Sequence, residues 1–275
     1  MIIDVDGIKY NVEVDEGNLA SEKIPVIFLH GFTGSTLDWQ FIVDKLPERF
    51  YPVRYDQIGH GKTESPADIK FYTSRFKMRA VEKIRDDLKL KEHILCGYSM
   101  GGRAAYNYAM TNPENLKGLI IESSTPGIEE AVQRIDKIKE DNEFAQKIET
   151  EGIVNFINFW YSRPFFASMR SLPADYKGKL IESRMNNNPA GLANTLRGFS
   201  AGRMVSHWDN LSAVNTKVLL ISGSLDLRYT MLAEKAAPRF KDAQHKIIEN
   251  AGHNTHLEKP EEFINLVTDF LNSLN

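Results

Sequence analysis

One segment decides how this sequence is interpreted: Gly97-Tyr98-Ser99-Met100-Gly101-Gly102-Arg103. It fits the pattern G-x-S-x-G and lies between a predicted strand at 93–97 and a predicted helix at 103–111, which is the context of a nucleophile elbow. The turn of such an elbow is so tight that the residues flanking the serine must be small. A simple Gly/Ser turn is the alternative, and the partners described next argue against it. Ser99 is therefore the predicted catalytic serine.

Two further residues complete a predicted catalytic triad. A serine hydroxyl needs a base that a third group orients, and in this kind of sheet the expected chain order is Ser, Asp, His. Asp226 follows a predicted strand at 218–222, and His253 follows a strand that ends near residue 248. Ligands bind at the carboxyl ends of strands in open α/β sheets, so both positions fit. The nearby alternatives are His256, which falls where the final helix approaches, and Asp209, which follows no strand.

Backbone N–H groups near Ser99 are predicted to form an oxyanion hole. His30-Gly31-Phe32 follows a strand at 26–29, the position that supplies one donor in such sheets, here the Phe32 N–H. The Met100 N–H is the other predicted donor. The Phe32 ring also suits a pocket wall, and the two roles are compatible.

Strands and helices alternate along the chain and predict an α/β fold with a mostly parallel sheet covered on both faces. Apolar runs that are predicted strands lie at 26–29, 51–55, 93–97, 116–121, 218–222 and 246–248, and Asp6-Gly7 predicts a hairpin before them. Residues 126–207 contain helical patterns and no convincing strand, and they are too long for a loop. We interpret them as a helical insertion, a lid, between the two parts of an α/β core, 1–125 and 208–275.

Composition excludes several classes of protein. Net charge is −3 over 275 residues, which gives no electrostatic reason to expect binding of nucleic acid or of a membrane surface. Cys96 is the one cysteine, so no intrachain disulfide or thiolate zinc cluster is expected. The Gly61-Lys62-Thr63 segment imitates a phosphate loop, but that motif needs glycine where Asp56 stands. With no signal peptide or membrane span recognisable, we expect a cytoplasmic location.

The helical insertion has an uneven charge. Between 160 and 207 it carries seven basic residues and only two acids, Asp175 and Glu182; the basic residues are Arg163, Arg170, Lys177, Lys179, Arg184, Arg197 and Arg203. One interpretation is a solvated basic face. The other is a lid that binds a small anionic molecule.

Several segments together carry a family resemblance: 97–103, 59–66, 159–161 with 164–166, 186–189 and 251–253. With His30-Gly31-Phe32 and the triad, they resemble the α/β-hydrolase superfamily. Within it they resemble the 2-succinyl-6-hydroxy-2,4-cyclohexadiene-1-carboxylate (SHCHC) synthases of menaquinone biosynthesis, over nearly the whole chain. The resemblance implies a lyase that eliminates pyruvate from a cyclohexene substrate with several carboxylates. It further implies that the triad serine abstracts a proton and that no cofactor or metal is needed.

Substrate-binding residues follow from the resemblance by position. Arg103 matches an arginine that contacts a substrate carboxylate, and Tyr98 matches the tyrosine before the serine. Trp160 and Arg184 match substrate-contacting residues of the lid. A further arginine of the family falls on Lys137, while Arg134 lies one helical turn earlier, so either is a candidate.

Three hypotheses follow for the function. The first is the lyase, with the arginines holding the carboxylates of a small polycarboxylate substrate. The second is a hydrolase of an ester, a thioester or a carbon–carbon bond, since the same triad serves both. The third is a receptor without catalysis, which a complete triad disfavours.

Overall fold

The computed structural model of the protein describes residues 1–111 and 115–274. Its strands are β1 (Ile2–Val5), β2 (Ile8–Glu13), β3 (Ile24–Leu29), β4 (Phe50–Tyr55), β5 (His93–Tyr98), β6 (Leu116–Glu122), β7 (Lys217–Gly223) and β8 (Ala243–Ile248). They form one sheet in the order β1-β2-β4-β3-β5-β6-β7-β8. β1 pairs antiparallel with β2, and β2 with β4, whereas all later pairs are parallel. The predicted α/β fold with a mostly parallel sheet is thereby confirmed.

Helices cover both faces of this sheet. They are α1 (Glu16–Leu19), α2 (Gln40–Val43), α3 (Ser74–Asp87), α4 (Met100–Thr111), α5 (Ala131–Ser162), α6 (Ala174–Met185), α7 (Pro189–Gly198), α8 (Leu227–Ala236), α9 (Thr255–Glu258) and α10 (Pro260–Asn272). Between β3 and β4, a 3₁₀ turn over Thr36–Trp39 continues directly into α2. None of the described helices is long and apolar enough to cross a membrane.

The core is divided by the sheet into two apolar clusters. Successive side chains of a strand point to opposite faces, so Ile27 of β3 packs with α3 and α4 while Phe28 packs against α10. Both side chains are fully buried, and each such burial contributes about 1.5–3 kcal/mol. This packing fixes the carboxyl ends of β3, β5, β7 and β8 at one edge of the sheet.

The stretch 126–207, all of it described, contains helices and no strand between β6 and β7. The longest helix, α5, is interrupted at Gly152, whose φ is +81°. Residues of α5 and α7 share a small apolar cluster of their own, including Phe156, Ile157 and Leu192. That the helical insertion 126–207 acts as a lid is a proposal.

Candidate active site

The serine at the end of β5 lies on a strained turn. Ser99 has φ +50°, in the left-handed region that L side chains rarely adopt. A Cβ on Gly97 would approach the Gly101 carbonyl oxygen to 2.6 Å, and one on Gly101 would approach that of Leu29 to 2.1 Å. Only glycine fits these two places, which explains the motif physically. The half-buried Ser99 side chain is thus presented above the sheet.

Ser99 forms a hydrogen-bonded triad with His253 and Asp226. Ser99 Oγ lies 2.9 Å from His253 Nε2, and His253 Nδ1 lies 2.7 Å from Asp226 Oδ2. Asp226 precedes α8 and accepts a 3.4 Å hydrogen bond from the Tyr229 N–H, while His253 lies in the loop after β8. His253 and Asp226 are buried. The arrangement allows the imidazole to take a proton from Ser99 while the carboxylate holds its orientation.

A second histidine-carboxylate pair anchors the His253 loop. Glu122, fully buried at the end of β6, accepts hydrogen bonds from the Thr255 hydroxyl at 2.7 Å and from the His256 N–H at 3.0 Å. Its other oxygen lies 2.6 Å from His256 Nδ1. The His256 ring stacks on Trp39, 4.1 Å between ring centres. His256 therefore lies away from Ser99, inside the structure that holds the loop.

The loop after β3 brings Phe32 to the serine. Phe32, Ser99 and Met100 line the same cavity, as an oxyanion hole requires. His30 holds this loop through two contacts. Its Nε2 accepts a hydrogen bond from the Gln57 N–H at 2.9 Å, and its Nδ1 lies 2.8 Å from the Gly31 carbonyl oxygen. That pattern requires a neutral ring with the proton on Nδ1, and burial lowers the pKa of His30 accordingly.

The cavity above Ser99 has a volume of about 800 Å³. Helical-insertion residues form part of its wall. Core residues after β3, at the start of α4, next to the two ends of the insertion and on α8 form the rest. Aromatic rings supply much of the apolar lining: Phe32 packs edge-on against Trp160 at 5.4 Å, and Phe165 contacts the His253 ring at 4.0 Å. The space suits a small molecule that is largely enclosed.

Charged side chains also line the cavity. Among the described residues the lining contains five cations, Arg103, Lys137, Arg163, Arg228 and Lys235, and four acids, Glu129, Glu130, Glu140 and Asp141. The sequence analysis singled out none of these acids.

Some of these cations are neutralised within the cavity. Lys137 pairs with Glu140 at 2.6 Å and with Asp141 at 2.8 Å, and Arg163 pairs with Glu140 at 3.4 Å. Burial favours the neutral form of Glu140, but the hydrogen bond from Lys137 and the nearby cationic charges outweigh it and lower its pKa.

Two cations of the cavity have no acidic partner. Within the described part of the chain, neither Arg103 nor Arg228 has a carboxylate within 4 Å, whereas Lys235 pairs with Glu129. Arg103 instead donates a 2.6 Å hydrogen bond to the Phe199 carbonyl oxygen and lies over the Phe199 ring. Burial lowers the pKa of the Arg103 guanidinium, but arginine stays charged in proteins. The guanidinium groups of Arg103 and Arg228 can therefore bind anionic groups of a ligand in the cavity.

The predicted substrate-binding residues divide into two groups. Arg103, Lys137 and Trp160 line the cavity. Tyr98, Arg134 and Arg184 lie outside its lining. Tyr98 is buried with its ring 5.3 Å from that of His253, and Arg134 donates to the Gly202 carbonyl oxygen at 3.0 Å. Arg184 is buried in an ion pair with Asp38.

The basic stretch of the helical insertion does not act as one surface. Of its seven cations only Arg163 lines the cavity. Arg170 and Lys177 bond to exposed backbone oxygens, and Arg197 pairs with Glu149 on the surface. The net charge of a stretch thus gave no indication of which members face the site.

Across residues 1–111 and 115–274, no group of three His, Cys, Asp or Glu side chains is placed to hold a metal ion. The chemically active groups that the site brings together are the triad, the N–H donors and the cations.

Comparison with known proteins places this geometry in a family context. A family model described as the alpha/beta hydrolase fold matches residues 24–260. A putative SHCHC synthase of Bacillus subtilis (strain 168) is 37% identical over 269 residues, covering 98% of this chain and 97% of that protein. The SHCHC synthase of Shigella flexneri serotype 5b (strain 8401) is 31% identical over 235 residues, covering 86% of this chain and 88% of the relative. The solved structure of MenH from S. aureus matches with a TM-score of 0.89 and 28% identity, over 96% and 97% of the two chains.

Proposed function

This chain belongs to the α/β-hydrolase family and to the SHCHC synthases within it, and we infer that it catalyses the reaction of that group. That reaction eliminates pyruvate from 2-succinyl-5-enolpyruvyl-6-hydroxy-3-cyclohexene-1-carboxylate to give SHCHC, a step of menaquinone biosynthesis. The enzyme is thus a carbon–oxygen lyase. Its action in the cytoplasm stays a prediction from the sequence.

The names of substrate and product define the chemistry. The substrate has a C3=C4 double bond and an enolpyruvyl group on C5, and the product has double bonds at C2 and C4. The proton on C2 must therefore leave, the electron pair moves into C2=C3, the former C3=C4 pair becomes C4=C5, and the C5–O bond breaks. The departing enolpyruvate takes up a proton to become pyruvate, so no oxidant or water is consumed.

The triad is proposed to supply the base for C2. The C2 proton is acidified by the ketone of the succinyl group, because its loss gives an enolate. Ser99 Oγ, 2.9 Å from His253 Nε2, accepts this proton as His253 accepts the serine proton. The N–H groups of Met100 and Phe32 would stabilise the enolate oxygen, which carries the developing charge.

The observation that carries this proposal is the set of cations around the serine. A substrate with several carboxylates needs fixed positive groups at some distance from the reacting atoms. Arg103 and Arg228 meet that need without an acidic partner. Lys137 and Arg163 line the same cavity, and each of them pairs with Glu140. A simple ester would gain nothing from these charges. We propose Arg103 and Arg228 as the main carboxylate-binding residues. Lys137 and Arg163 are proposed to join them, because their side chains are 26% and 31% exposed and can exchange their acidic partners for a substrate carboxylate.

Pyruvate release tests the function directly. The purified protein is given the cyclohexene substrate, and pyruvate is followed against the spontaneous background, with an activated ester as the competing substrate. We expect rapid release that falls about a thousandfold or more in Ser99→Ala. The surface variant Arg197→Gln serves as the matched control and should keep the wild-type rate. Release at the background rate together with clear ester cleavage would assign the protein to the hydrolases instead.

A further inference from the structure

Arg184 is buried in an ion pair and does not line the cavity, so its position suits holding the structure around the site better than contacting substrate. Its guanidinium Nη1 is 2.6 Å from Asp38 Oδ1, and the exposed fractions of the two side chains are 2% and 1%. Burial opposes the charge of Arg184, but Asp38 and Tyr161 outweigh it and hold its pKa above the ordinary value. A substrate carboxylate would have to displace Asp38 to reach this cation, and that would leave Asp38 buried without a partner.

The partners of Arg184 lead to the loop that carries Phe32. Arg184 Nε donates to Tyr161 Oη at 3.2 Å, and Tyr161 Oη lies 2.9 Å from Thr33 Oγ1. The carboxylate of Asp38 packs directly on Gly34, where a Cβ would approach Asp38 Oδ2 to 2.4 Å. Asp38 therefore contacts the loop at Gly34, and Arg184 is connected to the loop at Thr33 through Tyr161.

The same loop is hydrogen-bonded to the second residue after α6. Asn187 Nδ2 donates to the Thr33 carbonyl oxygen at 2.9 Å and to the Arg184 carbonyl oxygen at 3.0 Å. Thr33 has φ +67°, a conformation that a β-branched residue keeps only when its surroundings enforce it. Thr33 immediately follows Phe32, so the contacts that hold Thr33 also restrain the backbone of Phe32 and with it the adjoining peptide group that carries the Phe32 N–H.

We propose that Arg184 is a positioning residue which, paired with Asp38, couples the helical insertion to the 31–34 loop and fixes the Phe32 N–H at the oxyanion hole. The proposal rests on the proposed function in one respect only: the Ser99 chemistry must use that N–H. It differs from the role that the family resemblance implies, in which Arg184 contacts substrate. The two roles make opposite predictions for KM and kcat.

Labelling of Ser99 by a neutral alkyl fluorophosphonate separates the two roles. Ser99 Oγ attacks phosphorus, the P–F bond breaks, fluoride leaves and His253 takes the serine proton, so the reaction uses the triad and the oxyanion hole. The reagent has no carboxylate, so a residue that only binds substrate carboxylates has no effect on it. The labelling rate is measured by intact mass for Arg184→Gln, Asp38→Asn, the double variant and the surface control Arg197→Gln.

We expect each single variant to be labelled about tenfold more slowly or worse, because a displaced donor loses part of the 10²–10³ that an oxyanion donor supplies. The double variant should lose no more than the worse single one, since it buries no unpaired charge and the two residues act as a unit. Arg197→Gln should keep the wild-type rate. Losses that multiply in the double variant would overturn the coupling.

Steady-state kinetics with the cyclohexene substrate complete the test. For a positioning residue, kcat falls in Arg184→Gln and Asp38→Asn while KM stays within about twofold. Unchanged labelling with a raised KM in Arg184→Gln alone would overturn the proposal and return Arg184 to the substrate. Because labelling needs no lyase substrate, a wild-type protein that is labelled but releases no pyruvate would refute the proposed function alone. Thermal unfolding of each variant identifies any loss that comes from misfolding.

Discussion

A buried lysine behind the oxyanion loop gives a prediction whose size follows from the structure. Lys77 of α3 is 3% exposed, and its Nζ donates to Gln57 Oε1 at 3.0 Å. In the part of the chain that the structure describes, no carboxylate lies within 4 Å of it. Burial, with a smaller contribution from the Arg103 charge, lowers the pKa of Lys77 from its ordinary 10.5 to about 7. The perturbation is Lys77→Met, which keeps an unbranched side chain one atom shorter and removes the titrating group.

The sign follows from comparing the folded and unfolded chains. Below pH 7 both are protonated at Lys77, and the buried charge lowers the free energy of unfolding by its full amount, roughly 5 kcal/mol. Between pH 7 and 10.5 mainly the unfolded chain is protonated, so stability rises with pH. Above 10.5 the effect is gone. Losing the hydrogen bond to Gln57 costs the variant about 1 kcal/mol at every pH.

We therefore expect Lys77→Met to be the more stable protein at pH 7, with an advantage that shrinks by about 3–4 kcal/mol between pH 7 and pH 10. Urea unfolding followed by tryptophan fluorescence at both pH values measures this difference, and other titrating groups cancel between the two proteins. Lys83→Met is the matched control, because Lys83 is on the same helix but pairs with Asp87 near the surface. If the difference in free energy of unfolding between Lys77→Met and wild type does not change with pH, the lowered pKa of Lys77 is refuted.

Four further predictions concern the cavity and the core. Arg103→Ala should raise KM for the cyclohexene substrate about tenfold or more with little change in kcat, since its contact exists in the ground and transition states; unchanged kinetics would remove it from the site. Lys137→Met should raise KM more than Arg134→Met does, because Lys137 lines the cavity whereas Arg134 contacts the Gly202 backbone outside it. Equal effects on KM would contradict the placement of Lys137 in the cavity. Cys96 should resist thiol reagents until the protein unfolds, because burial and then Glu122 raise the pKa of its thiol; labelling of the native protein contradicts this. Burial lowers the pKa of His93 to about 4, so wild type should lose about 2–3 kcal/mol relative to His93→Phe as pH falls from 7 to 4.5, and equal losses in urea unfolding contradict it.

The fold and the meeting of Ser99, His253 and Asp226 could be predicted because their signals are local. The glycines around Ser99 are required by contacts of 2.1–2.6 Å with nearby backbone, so the motif is a direct consequence of the turn. Asp6 and Gly7 both have positive φ, as the predicted hairpin turn requires. Asp226 and His253 were found because strand ends in a parallel sheet meet at one edge. In each case the residue type and its neighbours in sequence carry the information.

The cavity lining could not be predicted in the same way. Arg163 and Arg184 belong to one basic stretch, yet Arg163 faces the cavity while Arg184 pairs with Asp38, 146 positions away in sequence. That choice depends on how the helices of the insertion pack on the core, and no local pattern encodes it. Glu140 and Asp141 went unnoticed for a related reason. Acids on an amphipathic helix usually face solvent, and only the packing of α5 brings these two to the cavity.

The same triad can serve hydrolysis and elimination because the substrate decides which step goes forward. When serine adds to an ester carbonyl, the carbon bears a leaving group, so the adduct collapses to an acyl-enzyme. The succinyl carbonyl of the cyclohexene substrate is a ketone with two carbon substituents, and neither leaves as readily as the alkoxide of an ester, so addition at that carbon mainly reverses. Loss of the C2 proton has an onward path, since enolpyruvate departs and becomes pyruvate. Fixed cations such as Arg103 and Arg228 add what the triad lacks: acting together they hold the ring so that C2–H, rather than the carbonyl carbon, faces Ser99, so the loss of Arg103 alone mainly weakens binding. On this argument the lyase activity resides in the placement of the cations, and the triad and oxyanion hole need not differ from those of a hydrolase.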